Sequence, residues 1–367
     1  MTGNLRTAAI WLLAVTVLAA GAVAAEYSSS LKAGKADLKS AGALAFGPEG
    51  ILFVGDTAGA AIFALDTGDR KAGAAGAVDI KGINEKVAAL LGAAADQVMI
   101  NDMVVNPISR KTYLSVSRGR GPDATPVILR VDGSGKIEEV ALENVKHSRV
   151  SLPNSPDAAA KDARGQNRRQ EAITDLAFVD GRVFVAGLSN EEFASNLRSI
   201  PFPFQDADRG ASIEIFHGAH GRFETNAPIR TFVPYQIKKE AHILAAYTCT
   251  PLVKLSVASL KPGSKVAGTT IAELGNRNRP LDMIVYSKGG VDYILMNNSS
   301  RGVMKLSTEK IDTYQAITSQ TEVTGVPYET IAELKDVQQL DLFDKANAMI
   351  LVRSGAGSLD LKTVALP

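Results

Sequence analysis

Tryptophan is almost missing from this chain. Of 367 residues only Trp11 is one, and it sits in the apolar N-terminal segment. A carbohydrate platform built on stacked indoles is therefore disfavoured. Cysteine is equally scarce: Cys249 stands alone, so no internal disulfide can form. There is no C-x-x-C-H, which excludes covalently attached haem. There is no G-x-S-x-G elbow, no Walker loop and no dinucleotide fingerprint, so no nucleotide cofactor is expected. Beyond the N-terminus no apolar run is long enough to cross a bilayer.

The N-terminus reads as an export signal. Arg6 supplies a weakly positive start, and Ala8–Ala20 is an apolar run of 13 residues. Ala22-Val23-Ala24 then offers a small-x-small cleavage site. The expected organisation is a signal over residues 1–25 and one domain over residues 26–367. No cysteine lies near the cleavage point, so a lipid anchor is not expected. The whole chain has 40 basic and 39 acidic residues; losing Arg6 leaves 39 of each sign. A neutral protein lacks the basic surface that general nucleic-acid binding needs. The expected location is periplasmic or secreted, with no membrane span once the signal is removed.

What the chain does have is a repeat. Thr174–Phe178 reads Thr-Asp-Leu-Ala-Phe, and it is echoed at Asn101–Val105, Leu281–Val285 and Leu340–Phe343. Each is a short apolar run with an aspartate at its start. The first copy, Ala43–Phe46, has alanine instead. Ala43 to Asp102 spans 59 residues, Asp282 to Asp341 again 59, and Asp175 to Asp282 spans 107. A fixed period of strand-forming sequence signals a repeat architecture.

Each echo leads into a hairpin of strand, polar turn and alternating strand. The hairpins are Ile51–Asp66, Thr112–Asp132, Arg182–His217, Ile243–Val257, Ile294–Thr308 and Met349–Val364. Outer-strand candidates are Ala77–Lys81, Lys136–Leu142, Ile229–Tyr235, Thr269–Leu274 and Tyr328–Leu334. The expected fold is all-β, a six-bladed β-propeller of four-stranded blades with short helical insertions. The fourth unit is irregular, since few residues separate Ile229–Tyr235 from His242–Thr248. Without tryptophan, the WD type and the eight-bladed quinone dehydrogenases are disfavoured. An open ring would leave unpaired strand edges. The sixth unit runs out of chain, so an N-terminal strand around Ser28–Leu38 is expected to close it.

Insertions interrupt the repeat. Asn84–Ala94 is read as a short helix capped by Asn84, with Val87, Leu90, Leu91 and Ala94 on one face. Lys146–Gln170 is read as a long polar loop. Ser189-Asn190-Glu191-Glu192 has capping-box form and predicts a helix to about Arg198. Phe193, Phe202 and Phe204 follow, either as a lid or as packing onto their own blade.

In a propeller the innermost strands line a channel, and the segments feeding them gather at one mouth. Asp102, Asp175, Asp282 and Asp341 are then expected around one axis. Carboxylates so placed repel unless a cation, nearby arginines or distance relieves them. Calcium would find oxygen ligands at Asn101, Asp102, Asp175, Asp282 and Asp341, with Asn278 close by. The blander reading is structural: each aspartate accepts backbone N–H groups of its own loop or the next blade.

Here the chain resembles the six-bladed propellers of the SMP-30/gluconolactonase, paraoxonase and strictosidine synthase type. Asn101-Asp102-Met103 is similar to their Asn-Asp-apolar ligand motif, and Pro280–Met283 looks like another ligand strand. The resemblance implies a divalent cation in the channel and lactone or ester hydrolysis. The NHL and TolB-like propellers share this layout, and that likeness implies a binding protein.

Basic residues suggest a ligand of opposite sign. Gly275–Pro280 holds Arg277, Asn278 and Arg279, and Arg168 and Arg169 precede the third unit. Arginine grips carboxylate or phosphate through paired hydrogen bonds. His242 is a candidate general base if the fourth unit brings it to the channel. His217 and His220 make a poor metal signature at a strand end, and Cys249 reads as a buried or inert thiol. The favoured function is an exported propeller binding a small anionic ligand or a protein partner at the channel mouth. The alternative is a calcium-dependent lactone or ester hydrolase.

Overall fold

The strand Ile51–Asp56 reads Ile-Leu-Phe-Val-Gly-Asp, and every residue in it is buried. Alternate side chains of a strand point to opposite faces, so both faces of this sheet must be covered. Ile51 and Phe53 pack with Val183 and Val185 on one side. Leu52 and Val54 pack with Tyr113 and Ile128 on the other. Hence the continuous apolar run, where a strand with one wet face would alternate.

The chain is described by a computed structural model over residues 27–73, 76–355 and 357–367. The expected signal at 1–25 lies outside these residues. The described strands form six sheets, and an apolar core fills each seam between neighbouring sheets. The fold is a six-bladed β-propeller.

From the channel outward, blade one is Leu44–Phe46, Ile51–Asp56 and Ala61–Asp66, followed by Val145–Ser151 and Lys32–Gly34. Blade two is Val98–Val105, Thr112–Arg118, Thr125–Val131 and Ile137–Glu139. Blade three is Asp175–Val179, Arg182–Leu188, Ser195–Pro201 and Ala211–His217. Blade four is Thr231–Ile237, Glu240–Ala246, Pro251–Ser256 and Thr269–Leu274. Blade five is Pro280–Lys288, Val291–Asn298, Gly302–Ser307 and Tyr328–Ile331. Blade six is Val337–Leu342, Asn347–Ser354 and Ser358–Ala365, with Asp79–Ile80 outermost.

The blades do not follow chain order around the ring. Blade one lies between blades three and two, and blade two lies between one and six. The interleaving comes from two outer strands. After Asp66 the chain crosses to blade six, pairs Ile80 with Leu361, and then builds blade two. It returns to lay Val145–Ser151 along Ala61–Asp66 before starting blade three. Two sheets are thus each completed by a distant segment, which leaves only a short strand at the rim of each.

Several expectations are corrected by this topology. The ring is closed by Asp79–Ile80, not by Ser28–Leu38. Within that N-terminal stretch Lys32–Gly34 is a strand, but it pairs with Val145–Ser151 at the rim of blade one. Ala77–Lys81 therefore contains the outer strand of blade six. The rim-strand candidate Ile229–Tyr235 overlaps Thr231–Ile237, which is the inner strand of blade four, so that blade is regular. Lys146–Gln170 is no plain loop, because its first part is a strand.

The helix starts at Ile83 with Gly82 at its N-cap. Asn84 is instead clamped to blade six: its Oδ1 accepts from Leu359 N–H at 2.8 Å and its Nδ2 donates to Gly357 O at 3.1 Å. The capping-box segment forms no helix, and Ser195–Pro201 is a strand. Phe202 and Phe204 pack with Tyr27, Phe53 and Phe178. Phe193 carries the Lys265 ammonium over its ring. Phe202 and Phe204 thus serve blade packing.

Candidate functional site at the channel mouth

The four aspartates come together at the hub, each on an innermost strand: Asp175 and Asp282 near the start, Asp102 at the middle and Asp341 near the end. Their oxygens reach across the seams. Asp102 Oδ2 accepts from Leu44 N–H of blade one at 2.6 Å. Asp175 Oδ2 accepts from Phe232 of blade four at 2.8 Å. Asp282 Oδ2 accepts from Leu340 of blade six at 2.8 Å, and Asp341 Oδ2 from Val105 of blade two at 2.6 Å. The second oxygen of Asp102, Asp175 and Asp341 accepts the N–H of its own next residue. Every crossing runs the same way round the ring. A recurring aspartate thus stitches one blade to the next, as the structural reading of the repeat expects.

Blades two and five add a β-bulge beside the aspartate, at Asn101 and at Leu281. A bulge gives a strand one extra residue and re-aims its neighbours. Asn101 uses it to donate to Ala41 O at 2.7 Å and to Ser117 Oγ at 2.9 Å.

All four hub carboxyls have raised pKa values. Burial is the main cause throughout, and the bonds from backbone N–H pull the other way. Asp102 is pushed up to about 8, with repulsion from Asp175 and Asp341 contributing. Asp175 rises to about 7 and Asp341 to about 6. Asp282 rises well above the carboxylate range, helped by the charge of Asp102. Near neutral pH the ring is therefore only part-ionised.

Above the ring opens a cavity of 880 Å³. Asp102, Asp175 and Asp282 lie on its floor, while Asp341 is not on its wall. Four arginines line it, from four blades: Arg120, Arg230, Arg279 and Arg353. Three are held in place. Arg120 donates to Asp96 O, Arg353 to Gln338 Oε1, and Arg230 to Thr248 Oγ1 with an ion pair to Glu171 at 2.7 Å. Glu171 sits there because Gly187 lets its turn lie on blade three; a Cβ at Gly187 would fall 2.1 Å from Ala172 O. Arg279 makes no ion pair among the described residues. Burial, and then the charge of Arg230, lower its pKa.

Of the arginines expected at the mouth, the cavity wall takes Arg279 alone. Arg169 is turned to Pro156 O and Ala58 O. Arg168 and Arg277 are not on the wall. Asn278 is buried and bonded to Asn298 and Ser300. His242 belongs to the second strand of blade four, pairs with Tyr235, and bonds Glu240 O. It is off the channel, because Thr231–Ile237 takes the inner place that would have brought it there. Arg120, Arg230 and Arg353 carry no sequence signal. Each stands alone in a hairpin or a strand lead-in, without a motif around it.

Among the described residues, one group of three or more His, Cys, Asp or Glu side chains brings its ligand atoms within 4.8 Å of one another, and it is His217, His220 and Cys249. The hub aspartates do not form such a group.

No known family profile matches the chain, and no curated protein matches its sequence. Solved structures align over most of its length at low similarity. A putative oxidoreductase (glucose dehydrogenase) from Thermus thermophilus is 12% identical, covers 91% of this chain and 100% of its own, and has a TM-score of 0.36. The PQQ-bound aldose sugar dehydrogenase of Streptomyces coelicolor is 12% identical, with coverage of 91% and 96% and a TM-score of 0.33. Drosophila Plexin A, solved in complex with Semaphorin 1b, is 10% identical, with coverage of 92% and 87% and a TM-score of 0.40. Scores this low carry neither fold nor activity across, so the propeller assignment stands on the chain's own sheets and seams.

Proposed function

We propose that this protein is an exported binding propeller that takes a small anionic ligand, or an acidic segment of a partner, in the mouth of its channel. The observation that supports this most is the convergence of Arg120, Arg230, Arg279 and Arg353 on one 880 Å³ cavity. Arg279 has its guanidinium free of any ion pair among the described residues. Arg279 feels the charge of Arg230, offset by that of Glu171, and a planar carboxylate or a phosphate fits two guanidinium forks. The N-terminal signal motif supports export.

The arginines bind and the blades hold them; the aspartate floor tunes the site. Each ionised aspartate opposes an incoming anion, and protonation of the ring relieves that opposition. A calcium-dependent hydrolase draws less support, since the hub oxygens are engaged with backbone amides. The test is a panel of dicarboxylates, sugar acids and phosphate esters against the mature protein, read by calorimetry and thermal shift. Saturable binding that Arg279→Gln weakens supports the reading. Binding of no anion, or binding indifferent to Arg279→Gln and Arg230→Gln together, sinks it. A stability loss on chelation that calcium restores would favour the hydrolase.

A further inference from the structure

A second cluster lies away from the cavity wall, where the end of blade three meets blade four. We propose that His217, His220 and Cys249 form a binding site for a thiophilic transition-metal ion, zinc or copper. One ring nitrogen of each histidine and the sulfur of Cys249 lie within 4.8 Å of one another. That spacing suits three ligands around a single ion.

The orientation of the rings suits an ion as well. Both present their Nδ1 atoms to one carboxylate: His217 to Glu224 Oε2 at 2.8 Å and His220 to Glu224 Oε1 at 2.7 Å. A carboxylate behind a histidine is the usual outer partner of a metal ligand, because it fixes the tautomer and leaves Nε2 as the donor. Here one glutamate does this for two rings whose centroids are 3.9 Å apart. His217 is 2% exposed, and its Nε2 has no hydrogen-bond partner. A buried polar atom left unpaired costs free energy. An ion bound at that nitrogen would remove the cost.

The third ligand is held just as firmly. Cys249 has φ of 65° and Thr250 φ of 56°, two non-glycine residues in succession in the left-handed region. Such strain persists only where the surroundings over-determine it. They do: Cys249 N–H donates to Asn278 O at 2.6 Å, and Thr250 Oγ1 donates to Gly275 O at 2.8 Å. The histidine turn is pressed against blade four from the other side. Gly218 N–H donates to Glu273 Oε1 at 2.6 Å, and a Cβ on Gly218 would meet Glu273 Cγ at 2.9 Å. Both turns are thus fixed before any ion arrives. His220 and Cys249 remain reachable from solvent, which gives the ion a way in. Three protein ligands leave one coordination position for water.

The test uses the full mature chain after chelator treatment and gel filtration. Cobalt added as a probe should give a thiolate charge-transfer band at a single equivalent, and zinc should abolish it. Cys249→Ser should lose the band, and His217→Ala should weaken binding at least tenfold. Glu224→Gln should weaken it by about 10–100-fold while keeping the band. A measurement on the unaltered chain guards against variants that misfold: alkylation of Cys249 should be slowed by saturating zinc or cuprous ion. Protection by copper and not by zinc makes it a copper site. Equal alkylation rates with and without either ion overturn the proposal, as does a cobalt band that survives Cys249→Ser.

Discussion

The hub and the histidine corner both gather side chains able to bind a metal, and use them in opposite ways. At the hub the aspartates recur with the repeat, and their oxygens accept backbone N–H groups across the seams. At the corner the residues belong to no repeat, and a ligand atom is left over. A residue that recurs from blade to blade does what the blades need, which is docking to a neighbour. A residue that appears once is free to serve something outside the fold. Acidic clusters at a propeller hub are therefore weak evidence for a metal, while three donors of two kinds gathered from distant turns are stronger.

Mutation should tell most at the hub. Asp102→Ala leaves two buried N–H groups, of Leu44 and Met103, without their acceptor. A loss of about 3 kcal/mol is expected from orphaned donors of this kind, measured by urea unfolding. A loss under about 0.5 kcal/mol would mean the stitch is ornamental. The next effect belongs to the cavity. Arg279→Gln should weaken the best anionic ligand about tenfold, or about 1.4 kcal/mol, with the melting temperature nearly unchanged.

Acidity separates hub from corner more finely. The folded aspartates titrate above their unfolded values, so the folded state binds more protons between about pH 4 and 8. Their contribution to stability is full below the unfolded value and is lost as pH rises through about 6 to 8. The melting temperature should fall over that range, and Asp102→Asn should flatten the fall. Anion affinity should drop across the same window, since each deprotonation adds opposing charge; an affinity that rises with pH would contradict the floor's role. The smallest effect is at the corner. Cys249→Ser should change apo stability by no more than about 0.5 kcal/mol, in contrast with Asp102→Ala.

Much of this is legible in the chain itself. The six hairpins carry the blade count, and five of them fall where their alternation puts them; Arg182–His217 holds three strands, since Ser195–Pro201 is a strand where a helix is expected. Asp102, Asp175, Asp282 and Asp341 make the blade-to-blade hydrogen bonds that the structural reading expects. Strand identity is local, because alternation and turn residues act within a few positions. Rim strands are legible too, at Ala77–Lys81, Lys136–Leu142, Thr269–Leu274 and Tyr328–Leu334, but the blade that the first of them joins is not. Asp79–Ile80 is two residues long, and nothing in its sequence says that its partner is Leu361.

Composition and period thus determined that this chain makes six sheets and that acids meet at their hub, since both follow from short-range pattern repeated. Only the tertiary structure decided that blade one sits between blades two and three, and that Asp79–Ile80 closes the ring. It alone gathered Arg120, Arg230, Arg279 and Arg353 at one mouth, and His217, His220 and Cys249 at one corner. The reason is physical. A strand's edge accepts any partner with free N–H and C=O groups, so partner choice is set by which faces must be buried together. That depends on the whole ring, and no local stretch of sequence carries it.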